Sequence, residues 1–490
     1  MRLEIGKKSK LWTQAVCDSW NRLMLNKTFL VILFVALMSG MAAVLYVNEI
    51  SLILLVLGFF LVLYLKEFRK KREPHYWHLV FVFFVTIALI KSPYAPALVR
   101  VLGAVDGYEA FLAPVLALIV LFHMLYNDVE FGVVYLLFTS TLAALVYGGD
   151  MVVFLVYAVT GFTAMVLSSN VRRRIDILKV GLVTGIMEAL MIIALHGPMP
   201  SVWMYLEPFR VGLTNGIVSV VLVLSVSWLF EVVLGQVTNL SLLEYSDFNH
   251  PLLRKMILEA PGSYQHSLVV ANLAEAAAEA IGANSLLARV GAYYHDIGKI
   301  SKAEYFVENQ MLARYRDRHK KLSPSMSTLI IVNHVKEGIE LARRNHLNNK
   351  LIEFIGQHHG TTLVYYFYAK AQQQTTEASP EEEVFRYPGP KPQTKEVAIV
   401  HLADTIEARS RLLDDPTPSR IKEVVKESII QKFLDGQLDE TDLTLRDLEI
   451  IIEVFARIMN AMFHTRVDYS KVQEKNGTSG KQPAESKKDQ

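Results

Sequence analysis

The spacing of apolar residues changes once along this 490-residue chain, near residue 235. Before that point apolar residues come in nearly unbroken runs, about the 20 residues an α-helix needs to cross a hydrocarbon core. Eight spans are predicted: Thr28–Val47, Ile50–Leu65, His78–Ile90, Ala110–Tyr126, Val129–Tyr147, Met151–Ser169, Val180–His196 and Val211–Leu234. The second and third are short, which leaves seven as the alternative count. From Gln236 onward, apolar residues recur at spacings of three and four with polar faces between them, the period of amphipathic helices. Helices are predicted over Pro261–Ile281, Ser285–His295, Ser323–Arg344, Lys350–His358, Leu363–Gln373, Thr394–Leu413, Pro418–Leu434 and Leu443–Phe463. Gln236–Asp247 reads as a linker, and Gln374–Gln393, with its Pro, Glu and Gly, as a loop or flap. The predicted fold is all-α. An N-terminal segment covers 1–27, a polytopic transmembrane bundle 28–235, an all-helical domain 236–469 and a disordered tail 470–490.

Charge follows the same division. Residues 1–235 hold 18 Lys/Arg and 14 Asp/Glu, against 32 and 34 in the remainder, as expected when one half sits in lipid and the other in water. Basic clusters precede the first span (Lys7, Lys8, Lys10, Arg22, Lys27), follow the second (Lys66, Arg69, Lys70, Lys71, Arg72) and follow the sixth (Arg172, Arg173, Arg174, Lys179). The opposite loops carry only Lys91, Arg100 and Arg210. The excess of basic charge on one side predicts a multi-pass protein of the cell membrane with both termini and the second half cytoplasmic. The first span starts too late and runs too long for a cleaved signal peptide. No outer loop is long enough for a folded sensor, and Trp203 and Tyr205 read as interfacial anchors. Glu188, in mid-span, is either a functional carboxylate or a neutral group hydrogen-bonded inside the bundle.

Composition excludes a disordered chain, at 52% hydrophobic residues and 20% charged. The lone Cys17 excludes both a disulfide framework and a cysteine zinc cage, so a metal would be held by His and carboxylates. A net charge of +2 gives no reason to expect nucleic acid as a partner.

The second half supplies such donors: His266, His295, His334, His358 and His359, with Asp296 beside His295 and Asp404 in a later helix. Five imidazoles and two carboxylates suit two borderline divalent ions with open positions, and one carboxylate can span both ions with its two oxygens. Such a pair acidifies a bridging water and stabilises charge on a phosphoryl oxygen, which suits phosphoester hydrolysis. His319, His346, His401 and His464 read as structural or exposed, and Arg409 as the partner of a surface acid.

The run His295-Asp296-Ile297-Gly298-Lys299, with His266 before it and Asp404 after it, resembles the HD superfamily of metal-dependent phosphohydrolases. Three longer stretches narrow the likeness: Glu259–Ser267 (EAPGSYQHS), Gln357–Leu363 (QHHGTTL) and Phe385–Glu396 (FRYPGPKPQTKE). They resemble the seven-transmembrane HD-domain phosphodiesterases, which hydrolyse cyclic di-AMP to pApA, and the similarity runs from about residue 50 to 469. The resemblance implies one ion held by His266, His295, Asp296 and Asp404, and a second by Asp296, His334, His358 and His359. Asp296 would bridge, a bridging hydroxide would attack, and iron or manganese would be the metal. Lys299 is expected to neutralise a phosphate oxygen. Thr361 and Thr362 are expected either to hold phosphate or base or to cap a helix. Tyr365, Tyr366 and Tyr368 are candidates for stacking on adenine or for packing, and Arg386, Tyr387 and Lys391 for gripping nucleotide from the flap.

The family carries a large extracytoplasmic domain after its first span. Here only Asn48 and Glu49 separate the first two runs, so that domain is expected to be absent. Three other readings compete. A cyclic di-GMP phosphodiesterase of the related type would carry a Gly-Tyr-Pro motif after its paired histidines, and none follows His359. A guanosine tetraphosphate hydrolase of the HD type would lack the His334 and His358-His359 set. A receptor binding nucleotide without turnover would have little use for every ligand. Membrane lipid and a cyclic dinucleotide are the expected partners, and a homodimer fits the sequence without being required by it.

Overall fold

The computed structural model describes residues 85–86, 89–90 and 107–463, except 127, 170, 199, 311–317, 375–379 and 414–415. The first two predicted spans, most of the third, His464 and the predicted tail lie outside the described residues. The chain forms two compact units, Met1–Glu244 and Tyr245–Gln490. Among the described residues there is no strand, only one isolated antiparallel bridge between Leu363 and Arg386, so the all-α expectation holds.

The first unit contains α1 (Val115–Tyr126), α2 (Val129–Val146), α3 (Met151–Ser168), α4 (Arg174–His196) and α5 (Leu206–Leu234). With the short turns that precede α1 and α5, these are five helices long and apolar enough to cross a membrane. They correspond to the last five predicted spans. Glu109–Tyr126 is 83% buried and packs against α2, α3 and α5, so α1 is the axis of the bundle. The outer helices expose Phe162, Val166, Leu182, Ile217 and Trp228, the apolar surface expected toward lipid tails.

Helix α4 starts at Arg174, six residues before the predicted Val180, because its first turn is polar. The Asp176 carboxylate accepts from Arg173 N at 3.0 Å, closing a turn that an apolar run does not reveal. Helices α4 and α5 pack through facing glycines. A Cβ on Gly185 would lie 2.5 Å from Gly212 O, and one on Gly216 would lie 2.2 Å from Gly181 O. Only glycine allows two helix backbones to approach that closely.

The predicted linker is also partly helical. Helix α6 (Asn239–Tyr245) follows the left-handed Gly235 that ends α5. Glu231 accepts from Thr238 N at 3.2 Å and from the hydroxyls of Thr238 and Ser241, while Asn239 Nδ2 donates to Val171 O at 3.3 Å. These bonds tie residues 236–244 to the first unit, so the division falls after Glu244 rather than at the change of hydropathy after 235.

The second unit continues with α7 (Pro251–Glu259), α8 (Pro261–Ala280), α9 (Ser285–Tyr294), α10 (Pro324–Arg344), α11 (Asn349–Gln357), α12 (Tyr365–Gln374), α13 (Lys395–Ser410), α14 (Pro418–Leu434) and α15 (Leu445–Phe463). Helix α8 packs on α9, α13 and α15, and α9 also packs on α11 and α13. The predicted flap is largely docked. Phe385 O accepts from Val364 N at 2.8 Å, Tyr387 N donates to Thr362 O at 3.1 Å, and Gln393 N donates to Gln357 Oε1 at 3.1 Å.

Candidate metal centre

Five elements converge on one point because each is cut short or locked where its functional residue sits. Helix α8 begins with Pro261, whose missing N–H costs nothing in a first turn, and Asn309 Oδ1 accepts from Gly262 N and Ser263 N at 2.8 and 3.1 Å. His266 lies one turn further on. Helix α9 is capped by Asn284, which accepts from Leu287 N at 3.0 Å, and ends at Tyr294, so His295 and Asp296 leave the helix together. Gly298 then passes so close to α10 that a Cβ there would lie 1.8 Å from His334 O. That contact explains the glycine of the HD run and brings His334 to the site. Helix α11 stops at Gln357, putting His358 and His359 at its end, and His401 of α13 donates from Nδ1 to His358 O at 2.6 Å. Asp404 lies one turn after His401.

Two groups of donors result: His266, His295 and Asp404, and Asp296, His334, His358 and His359. Within each group the ligating atoms lie within 4.8 Å of one another. Asp296 faces both. Its Oδ2 is 3.6 Å from His266 Nε2 and 3.2 Å from His295 Nε2; its Oδ1 is 3.4 Å from His334 Nε2 and 3.6 Å from His358 Nε2. His266 Nε2 also lies 3.1 Å from Asp404 Oδ1, and His359 Nδ1 lies 3.4 Å from Asp404 Oδ2.

These atoms crowd one shared centre, where His334 Nε2 and His358 Nε2 lie 3.3 Å apart. Asp296 Oδ1 and the Nε2 atoms of His266 and His295 are buried without a hydrogen-bond partner, and Asp296 Oδ2 meets the Lys299 ammonium. Buried polar atoms left in this state are expensive unless a ligand satisfies them. The far sides of four of the five rings are engaged. Nδ1 of His266 donates to Glu407 Oε2 at 2.6 Å, that of His295 to Ala292 O at 2.7 Å and that of His334 to Ile331 O at 2.6 Å. His358 Nδ1 donates to Ile355 O at 3.0 Å. Such bonds fix the tautomer that presents the Nε2 lone pair inward, the usual outer support of metal-bound histidine. A set of nitrogen and carboxylate donors without thiolate fits divalent cations of borderline hardness.

Electrostatics divide the two groups. Burial works against a charge on His266, but the neighbouring Asp404 and Glu407 carboxylates outweigh it and raise the imidazole to about 10. Burial and His358 push His359 well down, and burial dominates in bringing His334 to about 3, which favours the neutral form of both rings. Burial would raise Asp296, yet His295 and Lys299 hold it well below the usual carboxylate range. Lys299 Nζ sits between Asp296 Oδ2 at 2.7 Å and Glu308 Oε1 at 2.9 Å, and both carboxylates overcome burial to hold its charge.

The expected substrate residues are placed less uniformly. Thr361 N donates to Gln437 Oε1 at 2.8 Å, and Thr362 Oγ1 accepts from Lys432 Nζ at 2.9 Å, so neither caps α12. Tyr365 opens α12 and is 71% exposed, as is Tyr366, so neither is a wall of the site. Arg386 is held by Glu382, by Asp435 at 3.3 Å and by Thr361 O at 2.8 Å. Tyr387 does reach the centre: its ring stacks on His359 at 4.2 Å between centroids. Lys391 reaches Asp439 at 3.4 Å, and Arg409 donates to Gln431 at 3.3 Å instead of to an acid. His319, on Tyr305 O, and His401 serve structural contacts, and His346 is exposed.

Glu308, Glu407 and Lys432 were absent from the sequence reading. Glu407 carried a signal, since it follows Asp404 by one helical turn. Glu308 carried none, because the kinked segment Ile297–Tyr305 alone folds it back onto Lys299.

Comparisons agree with this architecture. Residues 263–409 match the HD domain, and residues 44–238 match the family described as 7TM receptor with intracellular HD hydrolase. A protein of Bacillus subtilis (strain 168) named cyclic-di-AMP phosphodiesterase PgpH is 38% identical over 329 residues, 66% of this chain and 46% of the relative. Its namesake in Listeria monocytogenes serotype 1/2a (strain 10403S) is 35% identical over 365 residues, 74% of this chain and 50% of the relative. The chain therefore spans about half the length of these curated relatives. A crystal structure of the L. monocytogenes PgpH HD domain in complex with cyclic-di-AMP is 47% identical, covering 45% of this chain and 100% of the other, with a TM-score of 0.42. This is a membrane protein, and it belongs to the family of seven-transmembrane receptors with an intracellular HD hydrolase domain.

Proposed function

We propose that this chain is a membrane-bound, metal-dependent phosphodiesterase that hydrolyses cyclic di-AMP to pApA, with its HD unit on the cytoplasmic side. The observation that carries the reading is the buried Asp296 carboxylate, whose two oxygens each face a separate group of imidazoles. His266, His295, Asp296 and Asp404 would hold one ion and Asp296, His334, His358 and His359 the other. Divalent iron or manganese bound there would supply a Lewis acid for a phosphoryl oxygen and lower the pKa of water. The protein's own part is orientation. Glu407 and three backbone carbonyls aim the imidazoles, while Lys299 and Glu308 fix the Asp296 carboxylate. Substrate approaches from the side of His359, whose side chain is 19% exposed where those of His295, His334 and His358 are at most 1%. The adenine dinucleotide is assigned from the two relatives, both named cyclic-di-AMP phosphodiesterases.

The test is hydrolysis of cyclic di-AMP and cyclic di-GMP side by side by the full chain in detergent, with metal content measured on the same sample. Adenine-selective cleavage to pApA with about two transition-metal ions per chain is expected. Preference for cyclic di-GMP would reassign the substrate. Metal-loaded protein that cleaves neither would remove the enzymatic reading.

A further inference from the structure

The last turn of helix α14 carries a cation with no carboxylate within ion-pair distance among the described residues. Lys432, in its last turn, donates from Nζ to Thr362 Oγ1 at 2.9 Å, and among the described residues no carboxylate pairs with it. The other cations nearby are already engaged: Arg386 with Glu382 and Asp435, Lys391 with Asp439, and Arg409 with Gln431. Asp435, three residues along the chain, is taken up by Arg386 and by Gln437 Nε2 at 2.8 Å. A helix C-terminus favours a lysine in its last turn, which accounts for the residue type. It does not account for an amine whose direct partner is a hydroxyl, an arrangement that costs free energy unless an anion completes it. Burial brings Lys432 down to about 8, with Asp404 and Asp435 pulling up and Arg409 and Arg386 pulling down, so it is still charged at neutral pH.

Its position beside the centre is fixed by Thr362. That residue donates from N to His359 O at 3.1 Å and accepts Tyr387 N at its own carbonyl at 3.1 Å, while Tyr387 stacks on His359. Lys432 is thus joined through Thr362 to the stretch that carries the most exposed imidazole of the site.

We propose that Lys432 holds the phosphate of the substrate that is not being cleaved, with the Thr362 hydroxyl setting its aim, so that the site selects for diesters carrying a second phosphate. This rests on the phosphodiesterase reading above. A cyclic dinucleotide brings two phosphodiesters into the site. Only one can lie at the reacting centre, and the other needs a charge-assisted hydrogen bond to leave water at little cost.

The experiment compares two substrates on the full chain in detergent: cyclic di-AMP, and bis(p-nitrophenyl) phosphate, a diester with one phosphate. Lys432→Met is expected to lower the ratio of kcat/KM for cyclic di-AMP to that for bis(p-nitrophenyl) phosphate roughly ten- to a hundredfold, the worth of a hydrogen bond to a charged group. The loss should appear mainly in KM for cyclic di-AMP, and Lys432→Arg should recover most of it. Thr362→Val, a gentler change, should move the ratio in the same direction by less. An unchanged ratio, or equal losses on both substrates, would overturn the assignment while leaving the phosphodiesterase intact. A parent protein that cleaves bis(p-nitrophenyl) phosphate but no cyclic dinucleotide would instead remove the underlying reading, and the assignment with it.

Discussion

In the membrane bundle, Glu188 is fully buried and both of its oxygens accept from Asn215 Nδ2, at 3.1 and 3.0 Å. In the second unit, Asp296 is equally buried, yet its Oδ1 has no hydrogen bond and its Oδ2 meets the Lys299 ammonium at 2.7 Å among the imidazoles. The first carboxyl is closed by a partner on the neighbouring helix, beside the glycines that let α4 and α5 touch. The second is surrounded by imidazoles whose outer nitrogens are all bound and whose inner ones converge. Burial alone therefore does not mark a site. A buried polar group that is satisfied contributes to packing and register, whereas a set left unsatisfied on one common side is held ready for a ligand.

The comparison can be broken most decisively at Asp296. Asp296→Ala removes the carboxylate whose two oxygens face four of the imidazoles and should reduce hydrolysis on the order of a thousandfold or more, the upper range for losing one electrostatic partner of a reacting group. Metal analysis of the purified variant should show less than the parent's content. A folded Asp296→Ala protein with full metal and full activity would mean that the converging lone pairs have no role in the chemistry.

A smaller effect is expected one layer out. Glu407→Gln keeps the shape of the group beneath His266 but removes the charge that its Nδ1–H meets at 2.6 Å. Outer supports of this kind typically count ten- to a hundredfold in metal affinity. Titration with a chelator should therefore strip the variant at roughly that much lower chelator concentration. Identical retention in both proteins would show that Glu407 serves Arg411, its other partner, and not the site.

How much of this was legible beforehand depends on how local each feature is. The candidate donors were readable because His295-Asp296 and His358-His359 are contiguous pairs and because the resemblance to the HD superfamily points to His266, His334 and Asp404 beside them. The last five spans were readable from hydropathy, but the polar first turn of α4 was not, since Asp176 closes it through a backbone bond that composition does not show. Helix α7 went unpredicted even though Pro251 offered a start signal. The substrate contacts were the least legible. An aromatic run such as Tyr365-Tyr366 gives no sign of which ring faces inward, and the fold leaves both in solvent while turning Tyr387 onto His359. Lys432 was hidden for the same reason: about 70 residues separate it from Thr362, and only tertiary packing joins them.

The mildest test returns to the membrane bundle. If Glu188 is closed by Asn215, Glu188→Gln preserves a hydrogen-bonding pair across α4 and α5 and should change stability by less than about 0.5 kcal/mol. Asn215→Leu instead leaves a carboxyl in the bundle with no donor, which should cost on the order of 1 kcal/mol, the usual scale of one interhelical hydrogen bond in lipid. Apparent unfolding temperatures of the two variants in one detergent rank them directly, and the order, Asn215→Leu below Glu188→Gln, is what the closed pair requires. The reverse order would mean that the carboxyl itself does something an amide cannot. Unchanged stability with altered hydrolysis would be more telling. Glu188 would then belong with Asp296 as a functional group, and the contrast between the two units would lie in what each carboxyl awaits rather than in whether it is satisfied.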